Sequence, residues 1–133
     1  MIEGFALTSI HNDIQTMCDH IERFIAAEES GEEPRVMGEV ANVSLWRRKI
    51  EDSFDQIRNC TETTDEGLPW GQILNAAVQF SQLTRLFSGE AEGFPTVDEC
   101  KENLPKLRAF IPERFPEILA LEAQAAAAQS KPA

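Results

Sequence analysis

Tyrosine is absent from this chain, cysteine occurs only three times, and basic residues number 12 against 23 acidic ones. Each shortage removes a class of reading. Cys18, Cys60 and Cys100 are odd in number, widely spaced and free of any CxxC pair. That usage fits buried thiols in a reducing compartment better than a disulfide framework or a zinc site. A net charge of −11 leaves few cations to meet phosphates, which argues against free nucleic acid as a partner. It argues against an anionic membrane surface for the same reason. No apolar run nears the roughly 20 residues that span a bilayer. The opening MIEGFALTSIHND has no basic segment ahead of an apolar one, so no signal peptide is expected and the chain reads as cytoplasmic. The sequons at Asn42 and Asn59 then carry no consequence. Strand-period alternation and internal repeats are also missing.

What remains is a helical protein. At 133 residues the chain can bury a core without metal or disulfide staples. The expected fold is all-α, an antiparallel bundle of four or more helices with its last helical region broken by prolines. Residues 1–122 are read as a single helical domain and residues 123–133 as an Ala-rich C-terminal extension.

The first helix is expected over residues 9–30, on an apolar seam of Ile10, Ile14, Met17, Ile21 and Phe24. Thr8 or Ser9 would cap it and Gly31 would end it, with Glu32, Glu33 and Pro34 as the connection. The second helix is expected from about Val36 to Asn59, on Val36, Val40, Val43, Ile50, Phe54 and Ile57, with Arg47 at the missing seam position. Residues 60–68 read as a polar loop. Pro69 then suits the first position of a third helix, ending at Gly89. Its apolar set (Trp70, Ile73, Leu74, Ala77, Val78 and Phe80, then Leu83, Leu86 and Phe87) is too broad for one stripe, so this helix is expected near the centre of the bundle. Thr96 and Glu99 have capping-box spacing and should open the fourth helical region. There Leu104, Leu107, Ile111, Phe115 and Ile118 keep one rhythm while Pro105, Pro112 and Pro116 fall off it. Two or three short helices in line, or one kinked helix, are expected.

Charge is distributed unevenly. Residues 1–34 carry eight acidic and one basic residue, and residues 61–99 seven and one, whereas 35–60 and 100–133 are mixed. Between Pro69 and Phe87 the only charged residue is Arg85. Within that stretch Gln72, Asn75, Gln79 and Gln82 line one side of a helix. Amides offer donors and an acceptor without a charge to desolvate, so the stripe, with Leu86, suits a protein interface. The alternative is a solvated face that happens to lack charge.

Trp46 and Arg47 open the only basic cluster, Trp46-Arg47-Arg48-Lys49. As a binding site they would act as aromatic anchor and carboxylate fork. As structure, Trp46 would fill the edge of the core and Arg47 would pair with Glu51 one turn on. His11, Cys18 and His20 lack the tight ligand spacing of a metal site. No catalytic motif is present, and neither a catalytic residue nor a cofactor is expected.

Three functions follow. The first is a non-enzymatic binding module, of the small acidic inhibitor, immunity or adaptor/chaperone type, docking a helix face on another protein with a basic surface. The second is a structural subunit of a larger assembly such as a phage particle or a homo-oligomer, built from copies of itself. The third is a small helical metal-dependent hydrolase using Glu29, Glu33, Glu51 and Asp55.

Overall fold

The computed structural model describes residues 4–59, 70–88, 93–120 and 123. Every regular element among them is helical: α1 (Gly4–Ser30), α2 (Glu33–Asn59), α3 (Trp70–Leu83), a 3-10 turn (Arg85–Ser88) and α4 (Val97–Arg114). A short terminal helix follows at 116–120. The helices pack into an all-α bundle, as the heptad-like seams require. Pro69 and the 60–68 loop lie outside the described residues, as do Gly89 and every residue from 121 to 133 except Ala123.

The α1–α2 hairpin is set by its turn. Gly31 takes φ +73, a left-handed conformation open to glycine without strain. Glu32 N–H donates to Ala27 C=O at 3.0 Å and Gly31 N–H to Glu28 C=O at 3.2 Å, the paired bonds of a Schellman ending. α2 then starts at Glu33, three residues earlier than the seam alone predicts. Pro34 sits in its first turn, where a missing N–H leaves no bond unmade. α1 starts earlier too, at Gly4. Thr8 and Ser9 are therefore inside the helix rather than capping it. Nothing between Gly4 and Thr8 breaks a helix, and adding residues to an existing helix is easy.

Ile10, Ile14, Met17, Ile21 and Phe24 are all buried, and Val36, Val40, Val43, Ile50 and Phe54 meet them from α2. Each such side chain contributes about 1.5–3 kcal/mol on leaving water. The Ile57 side chain lies outside the described residues. α1 packs on both α2 and α4, while α3 packs on α2. The α1–α2 pair, not α3, is thus the centre of the bundle. α3 buries Ile73, Ala76, Ala77 and Phe80 but leaves Leu74 and Val78 exposed, so it has one core face. Phenylalanines join α3 to α2 and α4: Phe80 lies 6.0 Å from Phe54 and 6.4 Å from Phe110, centroid to centroid. Tilted rings at this range attract beyond their buried area.

α3 ends at Leu83 and tightens into the 3-10 turn, six residues before Gly89. The Thr84 hydroxyl donates to Phe80 C=O at 2.7 Å. Thr84 C=O accepts from Phe87 N–H at 2.9 Å and from Arg47 Nε at 3.1 Å. A carbonyl so engaged favours the tighter i to i+3 turn.

At α4 the capping box forms in full. Thr96 Oγ1 accepts from Glu99 N–H at 3.2 Å, and Glu99 Oε1 accepts from Thr96 N–H at 3.0 Å. Pro105 and Pro112 do not divide the segment; both lie inside the single helix Val97–Arg114. They are exposed, so their rings point away from the core. The break comes at Phe115, and Pro116 opens the short terminal helix.

Candidate functional site

The outward side of α3 carries the amide stripe. Asn75 and Gln82 are exposed, Gln72 and Gln79 half-buried, and Leu86 is packed partly against the core. Gln79 links the stripe internally and to α4. Its Nε2 donates to Asn75 Oδ1 at 3.3 Å, and its Oε1 accepts from Arg114 Nη1 at 3.2 Å. Gln72 Oε1 is buried without a hydrogen-bond partner.

Beside the amides lie two aliphatic side chains that the sequence reading assigned to the core. Leu74 is 38% and Val78 50% exposed. On a helical wheel Val78 falls opposite Ile73, Ala76 and Phe80 and Leu74 falls on the flank; once those three define the inner face, Val78 has to point out. Asn75, Val78, Gln79, Gln82 and Leu83 of α3, with Arg114 of α4, line an open groove of about 570 Å³. Arg114 has no signal in the sequence as a member of this group, because it arrives from another helix. The groove offers amide donors and acceptors, an aliphatic floor and one guanidinium. It has no nucleophile paired with a base.

Trp46 and Arg47 sit elsewhere and are committed internally. Trp46 packs partly against the core and stacks near His20 at 6.5 Å, with Lys49 Nζ 4.3 Å from its ring centroid. Arg47 holds Glu51 at 2.8 Å and bonds both oxygens of Thr84. Its fork is therefore used to fasten α3 to α2.

The acidic pairs are not brought together. Glu33 and Glu51 are 18 positions apart on α2, or about 27 Å at the helical rise. Glu29 pairs with Lys101 at 3.0 Å. His20 Nδ1 lies 3.1 Å from Glu39, and burial lowers the pKa of His11. Among the described residues no three His, Cys, Asp or Glu side chains converge as a metal site would need, and no helix is long and apolar enough to cross a membrane. No family model, curated protein or solved structure matches this chain.

Proposed function

We propose that this protein is a non-catalytic binding module that docks the outward face of α3 on a larger protein, in the manner of a small inhibitor, immunity protein or adaptor. One observation carries the reading. In a chain with 26% charged residues, the exposed side of α3 from Gly71 to Gln82 has none, and it presents Val78 and Leu74 among amides. Interface centres are depleted in charge in this way. The acidic surplus of the chain would steer it toward a basic partner and quicken the encounter.

The test is partner capture by the wild type, Val78→Arg and Asp52→Arg. Val78 and Asp52 are both exposed, so neither change disturbs the core. Loss of one specific partner with Val78→Arg alone supports the reading. Equal capture by all three proteins overturns it.

A further inference from the structure

We propose that the outward face of α2 between Glu33 and Lys49 is a self-association surface, on which a second copy of this chain lays its own α2 in the antiparallel direction. This goes beyond the α3 reading and uses a different face.

Met37 is 55% and Leu45 57% exposed. Pro34, Gly38 and Ala41 are exposed as well, and the spacing of all five places them on one side of the helix. No charged side chain interrupts that side over three turns. Gly38 adds a second sign. A Cβ built there would meet nothing within 4 Å, so the protein's own fold does not require glycine at this helix-interior position. Glycine there weakens the helix relative to alanine. A backbone approached by another helix gives it a purpose.

Charge selects the occupant and its direction. Glu33 stands at one end of the apolar strip and Arg48 at the other. Both are exposed, and neither has an ion-pair partner among the described residues. Two copies related by a two-fold axis at Ala41 would set Met37 against Leu45 of the second copy, Gly38 against Ser44, and Glu33 near Arg48 and Lys49. Parallel packing would instead place like charges together. An isologous contact of this kind closes as a dimer.

The experiment is analytical ultracentrifugation of the full chain over a concentration series, with circular dichroism to confirm helix content. The wild type should show a monomer–dimer equilibrium. Leu45→Glu should weaken it by about tenfold or more, since it sets a carboxylate in the apolar seam. Glu33→Lys and Arg48→Glu should each weaken it, and the double reversal should restore it. Gly38→Ala should raise the melting temperature while weakening the dimer. A monomer persisting to about 1 mM, or a dimer indifferent to Leu45→Glu and Arg48→Glu, overturns the proposal.

Discussion

Gln15 and Arg108 bind each other twice. Gln15 Nε2 donates to the main-chain carbonyl of Arg108 at 3.0 Å, and Arg108 Nη1 donates to Gln15 Oε1 at 2.7 Å. That carbonyl is the one that Pro112, four residues on and without an N–H, cannot bond. α1 thus supplies the donor that α4 lacks. Arg108 Nη2 also reaches Asp19 at 2.9 Å and Glu22 at 2.7 Å, so one residue fastens α4 along two turns of α1.

Gln15→Ala should destabilise the protein by about 1–2 kcal/mol, because it strips a part-buried carbonyl of its donor. The loss should shrink in a Pro112→Ala background, where an alanine N–H closes the helix bond. Urea denaturation of both single variants and the double gives the coupling directly. Strict additivity would mean that the carbonyl finds water just as well.

Arg47→Met should cost about 2 kcal/mol, through the bonds to Thr84 and the half-buried carboxylate of Glu51 left behind. Arg47→Lys should recover less than half of that, since an ammonium cannot fork between the two helices. Hydrogen exchange at the Phe87 amide, which bonds Thr84 C=O, should speed up in both variants.

Burial pushes the Cys18 and Cys100 thiols up to about 12. Near neutral pH both should react with thiol reagents far more slowly in the folded protein than in urea. The sign of the pH effect follows. Above the ordinary thiol range the unfolded chain loses protons that the folded one keeps, so stability is intact below about pH 9 and falls as pH rises toward about 12. Cys18→Ala with Cys100→Ala should flatten that alkaline decline in melting temperature.

The Schellman turn at Gly31, the capping box at Thr96 and Glu99, and the seams of α1 and α2 were all readable from the chain. They depend on neighbours within a few positions, where spacing dictates geometry. The early starts of α1 and α2 escaped because helix propagation needs no marker when nothing opposes it. The broad apolar set of α3 misled for another reason: residues of both faces were counted together, and only contact with α2 decides which face is covered.

By itself the sequence determined that this protein is helical, where the α1–α2 turn falls and where α4 begins, and that α3 carries almost no charge, because periodicity and capping are local. Only the tertiary structure decided that the α1–α2 pair is central, that Arg47 is spent on Thr84, that Val78 and Leu74 face outward, and that α4 runs through two prolines. Each of those outcomes rests on groups far apart in the chain, such as Gln15 and Arg108, whose meeting no local pattern encodes.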